Sequence, residues 1–144
     1  HRPDIVKPNF SEFCATFLDR PGVSEHSEDE PLLDQVRCRM LELHAGSGCL
    51  PVVTRGRFPT LYVEGETVAE VQPETIRPVN TIGCGDAFAA GLASALHRGE
   101  SLRGAIQHAG DVARCCALCL RPGWIETPLP RAPIVAPTLF TVDG

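Results

Sequence analysis

A chain of 144 residues, 43% apolar and 22% charged, is long enough for one modest core and ordinary in composition for a globular domain. Its formal net charge of -5 argues against a general nucleic-acid binder, which needs a basic face against phosphates. No stretch approaches the run of about 20 apolar residues that spans a bilayer. The sequence opens at His1 and its one methionine is Met40, which points to a piece of a longer protein. Seven cysteines, an odd number, suit a reducing cytoplasm with small buried thiols better than a disulfide scaffold.

Asp4 to Pro8 reads as a short strand stopped by proline, and Asn9 or Ser11 then caps a brief helix carrying Phe13, Cys14, Phe17 and Leu18. Pro21 to Pro31 is acidic and polar, a surface turn or the solvated start of the next helix. Leu32 to Ala45 repeats apolar residues at helical spacing, and Gly46 and Gly48 end it. Leu50 to Thr54 predicts a buried strand, and Leu61–Val63 with Thr67–Val71 a hairpin about Glu64-Gly65-Glu66. After a loop to Gly85, Asp86 to His97 predicts an alanine-rich buried helix and Ser101 to Leu120 another. The segment from Pro122 onward holds five prolines and should be an extended, loosely attached tail. This order suits an α/β layer structure.

Chemistry concentrates in Asn80-Thr81-Ile82-Gly83-Cys84-Gly85-Asp86-Ala87-Phe88-Ala89-Ala90-Gly91. Glycines let the backbone turn tightly, and the first amides of a helix lack acceptors and sit at the positive end of its dipole. That makes an anion site suited to phosphate. An aspartate there repels the anion, unless Asp86 takes a proton from a hydroxyl that attacks the phosphate. The bland alternative is that Asp86 only caps the helix. A P-loop is excluded because G-x-x-x-x-G-K-[ST] is missing, and the dinucleotide fingerprint fails at Phe88. Cys116-Ala117-Leu118-Cys119 lacks the second pair a zinc site needs and lies near a helix end, so structural thiols are expected there. The scattered histidines carry no pattern.

The segment from Asn80 resembles the C-terminal signature of the PfkB (ribokinase-like) carbohydrate kinases, D-T-x-G-A-G-D-x-F-x-A-G, at Thr81, Gly83, Gly85, Asp86, Phe88, Ala90 and Gly91. Lys7-Pro8-Asn9-Phe10-Ser11-Glu12 resembles the family's K-P-N-x-x-E, though a helix-capping motif reads the same way. Val52 to Gly56 resembles its strand ending in T-x-G, and Gly104 to Trp124 its last helix and closing glycine, Gly123. Asn80 and Ile82 depart from the residues that serve a monovalent-cation site, so the resemblance does not carry potassium dependence over. Cys84 stands for a usual alanine, Pro59 lies near an expected glycine, and Gly110-Asp111 replaces a common Asn-Ala.

The resemblance implies an α/β, ribokinase-like fold: residues 1–125 as the C-terminal ATP-binding part of a three-layer α/β/α domain, and 126–144 as a proline-rich tail. It implies a cytoplasmic kinase moving the γ-phosphoryl group of ATP to a hydroxyl of a sugar or sugar-like molecule. Asp86 is then the base, and Gly83, Cys84 and Gly85 form the anion hole. Thr54, Gly56 and Gly123 meet ATP, and Asn9 and Glu12 support Mg²⁺ through water. A nucleoside or pyridoxal-like kinase of the same superfamily, and a non-catalytic truncated fragment, are the rival readings. The piece alone is expected to be a poor kinase, because the family takes its sugar contacts from the other half. No nucleic-acid or membrane partner is expected, and an open sheet edge would allow a homodimer.

Overall fold

The computed structural model describes residues 3–121 and, for the backbone, 139–140. The chain divides into two compact units, His1–Gln72 with Ala136–Gly144, and Pro73–Val135.

The first unit begins with strand β1 (Ile5–Val6), followed by helices α1 (Phe10–Phe17) and α2 (Glu30–Ser47). It continues with strands β2 (Leu50–Arg55), β3 (Phe58–Glu64) and β4 (Thr67–Val71). The sheet order is β1-β2-β3-β4-β5, in which β5 is Leu139–Phe140. β1 and β2 run parallel, with α1 and α2 forming the crossover that parallel strands require, and the other pairs are antiparallel.

Local chemistry explains the helix ends. Asn9 caps α1, and its side chain accepts the Glu12 amide. Asp29 caps α2 by accepting the Leu32 amide, with Pro31 in the first turn where no amide is needed. α2 stops at Gly48, left-handed at φ 73, whose N–H donates to His44 O at 2.7 Å. Gly46 lies inside the helix, so only the second of the two expected stops operates. Phe10, Phe13, Val36 and Met40 of the helices are fully buried with Val53, Leu61, Val63 and Val68 of the strands. Each such side chain is worth about 1.5–3 kcal/mol on burial. Val52, Tyr62 and Ala69, on the opposite sheet face, are also buried, which is why these strands read as continuous apolar runs.

Two hairpins with two-residue turns, at Gly56-Arg57 and Gly65-Glu66, join β2 to β3 and β3 to β4. Sequence periodicity finds only the second. The first is hidden by Pro59, which lies in β3 beside the register shift between Val53 and Arg55, where a missing amide is tolerated.

The second unit contains a loop from Pro73 and an antiparallel pair, α3 (Cys84–His97) and α4 (Leu102–Leu118). Ser101 caps α4 by accepting the Gly104 amide at 3.2 Å. A Cβ added to Gly91 would lie 3.0 Å from Ala109 Cα and 3.0 Å from Val112 Cγ2, so glycine sets how closely the two helices cross. α3 buries Ala87, Phe88, Gly91, Leu92 and Ala95 but exposes Ala89, Ala90 and Ala93. The sequence predicts burial on most sides, yet one flank is open in this chain. The proline-rich tail lies outside the described residues except for Leu139–Phe140, which pairs with Ala69 and Val68 on β4.

Candidate active site

The parallel sheet brings two of the sequence motifs side by side. Asn9 and Thr54 are bridge partners beyond the end of β1, and the Thr54 N–H donates to Pro8 O at 3.1 Å. Gly56 follows at once, at φ 59. Thus Asn9, Glu12, Thr54 and Gly56 cluster at one end of the β1–β2 pair.

Asn9 and Glu12 form a capping box. The Asn9 N–H donates to Glu12 Oε2 at 2.8 Å, and the Glu12 N–H donates to Asn9 Oδ1 at 2.8 Å. This is the capping reading of the motif, realised. One carboxylate oxygen of Glu12 has no part in the box. No group of three metal-ligating side chains exists among the described residues, so direct capture of a metal by side chains alone is not built here. A single carboxylate with water around it fits Mg²⁺, which keeps its waters readily.

Sequence reasoning missed what surrounds Gly56. His26 projects from the α1–α2 loop, and a Cβ on Gly56 would meet its Cε1 at 2.6 Å. Arg55 is 4% exposed, donates to Ser27 O at 3.0 Å and lies over the rings of Phe10 and Phe58 at 5.3 and 5.2 Å. It therefore ties the same loop down. A lone arginine and a lone histidine carry no spacing signal that could have revealed this. A cleft of about 250 Å³ beside Arg55 is lined also by Arg37, Phe58 and Glu70. Arg37 and Glu70 are ion-paired there at 2.9 Å.

In the second unit, α3 starts two residues earlier than the sequence predicts. Gly83 is its N-cap at φ 85, and no side chain caps the helix. Asp86 therefore sits in the first turn and is not the cap. Its side chain is exposed and makes no hydrogen bond or ion pair among the described residues. Of the three loop amides, that of Cys84 donates to Thr81 O at 3.3 Å, a long bond. Burial, followed by the neighbouring Cys116 thiol, pushes the Cys84 thiol up to about 11. The loop is held by Asn80, whose Oδ1 accepts the Ile82 N–H at 3.0 Å, and by Ala117 O, which accepts the Val79 and Asn80 amides. Gly123 lies outside the described residues.

Residues 1–126 match the model of the pfkB family carbohydrate kinases. The chain belongs to that family. Its structure is similar to those of several members of this fold. Phosphofructokinase-2 from Escherichia coli in complex with potassium matches at TM-score 0.65 and 20% identity, over 81% of this chain and 35% of that one. Ribokinase from Cryptococcus neoformans var. grubii serotype A in complex with ADP matches at TM-score 0.66 and 22% identity, over 81% and 40%. Adenosine kinase from Sinorhizobium meliloti matches at TM-score 0.61 and 28% identity, over 83% and 33%. The fold is mixed α/β and ribokinase-like. The pfkB-family chain spans about a third of the length of these relatives. No helix among the described residues is long and apolar enough to cross a membrane.

Proposed function

We propose that this segment carries the phosphoryl-transfer machinery of an ATP-dependent kinase acting on a hydroxyl of a sugar or sugar-like molecule. The observation that supports this most is the start of α3. A glycine cap in the left-handed region, with no side-chain capping hydrogen bond among the described residues, suits an anion. The Asp86 carboxylate beside it has no hydrogen-bond or ion-pair partner among the described residues.

In this reading the acceptor oxygen attacks the γ-phosphorus and its proton passes to Asp86. The bond from that phosphorus to the β,γ-bridging oxygen breaks, and ADP departs. A positioned base is worth typically ~10²–10⁴ in rate. The amides of Gly83, Cys84 and Gly85 face the charge that builds on the transferred group, that of Cys84 exchanging its long bond to Thr81 O for the phosphoryl oxygen. Thr54 and Gly56, with Gly123, line the nucleotide. Asn9 and the second oxygen of Glu12 hold Mg²⁺ through water. The metal, when bound, neutralises charge on the phosphates.

A nucleoside acceptor is the second reading, favoured by the 28% identity to an adenosine kinase. ATP-coupled assays with a panel of sugars and nucleosides separate the two. The 144-residue chain by itself should turn over poorly, since it spans about a third of its relatives' length. Robust sugar phosphorylation by this piece would refute that expectation, and phosphate bound away from residues 83–86 would overturn the site.

A further inference from the structure

Cys84 stands inside the glycine loop, where the family signature has alanine. It packs against the buried cluster of Ala87, Val112 and Cys116. Cys84 Sγ also donates to Asn80 O at 3.8 Å, and Cys116 Sγ to Ile82 O at 3.9 Å. Two thiols from different helices thus meet beneath the same short turn, residues 80–83. Cys84 is half-buried, whereas Cys116 on α4 is 1% exposed. Packing alone does not require this pair, because the family fills the first position with a methyl group.

We propose that Cys84 and Cys116 are a disulfide-forming site that reversibly ties the glycine loop to α4. With hydrogen peroxide as oxidant, the Cys84 thiolate attacks one peroxide oxygen and the O–O bond breaks. Cys84 becomes a sulfenic acid and hydroxide leaves. The Cys116 sulfur then attacks the sulfenic sulfur and the S–S bond forms. The sulfenic oxygen departs as water, taking up the Cys116 proton. Two thiols lose two electrons, one peroxide gains them, and two waters result. A dithiol reductant reverses the bond by exchange.

The environment sets the speed. With its thiol pushed up to about 11, Cys84 is almost wholly protonated at neutral pH, and only the thiolate reacts. The site should be slow at neutrality and accelerate as pH rises toward 11. Bonding also draws the sulfurs to about 2.05 Å, well inside the van der Waals contact of packed thiols. The loop must move to allow it, and a misplacement of about 1 Å at a reacting centre can cost on the order of 10²-fold. An effect on phosphate binding rests on the function proposed above. The disulfide itself does not.

The test treats the 144-residue chain with hydrogen peroxide at about pH 9, where thiolate is more abundant. Fragment-ion mapping then distinguishes Cys84–Cys116 from pairs among Cys115, Cys116 and Cys119. The expected result is a predominant Cys84–Cys116 bond in the native chain, absent in C116A and removed by dithiothreitol. In concentrated guanidinium the pairings should scatter. No such bond in the native chain, or equal yield in guanidinium, overturns the site. Titration with inorganic phosphate, followed by NMR of the 83–86 amides, is the second arm. Oxidised wild type should lose at least about tenfold in affinity, while C116A treated in the same way keeps it. A disulfide that leaves phosphate binding unchanged overturns its control of the loop. Failure of the reduced chain to bind phosphate, with the disulfide formed, would instead count against the kinase reading.

Discussion

Thr54 and Asn9 face each other across the parallel β1–β2 pair, and the Thr54 amide donates to the carbonyl of Pro8, the residue before Asn9. Two motifs separated by a helical crossover therefore share one sheet end. In open α/β sheets, ligands gather outside the carboxyl ends of the strands, which is where both residues sit.

Asn9 and Glu12 carry two roles that substitution can separate. Asn9→Ala removes the cap and should cost about 1 kcal/mol, read by urea unfolding. Glu12→Gln keeps the capping-box geometry, since glutamine serves at that position, but loses the charge. It should unfold nearly as wild type while a kinase-competent protein carrying it needs more Mg²⁺ for half-maximal rate. An unchanged Mg²⁺ requirement would leave Glu12 with its capping role alone.

Gly91 and Gly110 make opposite predictions. A side chain at Gly91 meets α4 backbone at 3.0 Å, so Gly91→Val should destabilise by about 1–3 kcal/mol through overpacking. At Gly110 nothing lies within 4 Å, so Gly110→Ala should stabilise α4 by about 0.5–1 kcal/mol. Thermal or urea unfolding checks both, and a destabilised Gly110→Ala would contradict the helix packing described.

How far the sequence discloses this molecule depends on whether a feature has a spacing. The helices over 30–47 and 102–118 announce themselves by apolar period and caps, and the Gly65 turn by its residue type. The signature at Thr81 to Gly91 is equally plain. Its Gly91, however, serves helix crossing, which no motif states. The β2–β3 hairpin was hidden by Pro59, because a proline normally argues against a strand interior. His26 over Gly56, Arg55 tying down Ser27 and the Cys84–Cys116 contact are long-range side-chain meetings. They depend on the fold and have no local pattern.

Alkaline pH should weaken the fold. Cys14, Cys49, Cys84 and Cys115 are all raised above their ordinary value of 9.0, chiefly by burial. The folded chain then holds these protons more tightly than the unfolded one. Stability from this source is complete below pH 9 and is lost as pH climbs toward 11, the value for Cys84. Urea midpoints taken across that range, with reductant present, should fall. Cys84→Ala should flatten part of the decline, and a midpoint independent of pH would contradict the assignment.

Asp86 gives the most direct test of the central claim. Gly83, not Asp86, caps α3, so Asp86→Asn removes the base without removing a cap. The measurement is kcat for phosphoryl transfer in a kinase-competent protein carrying this segment, wild type beside D86N, with unfolding midpoints taken in parallel. The account predicts a fall in kcat of about 10²-fold or more with the fold intact. ATP affinity should be unchanged or raised, because a negative charge beside the phosphates is gone. A near-normal kcat would contradict the role of Asp86 as base.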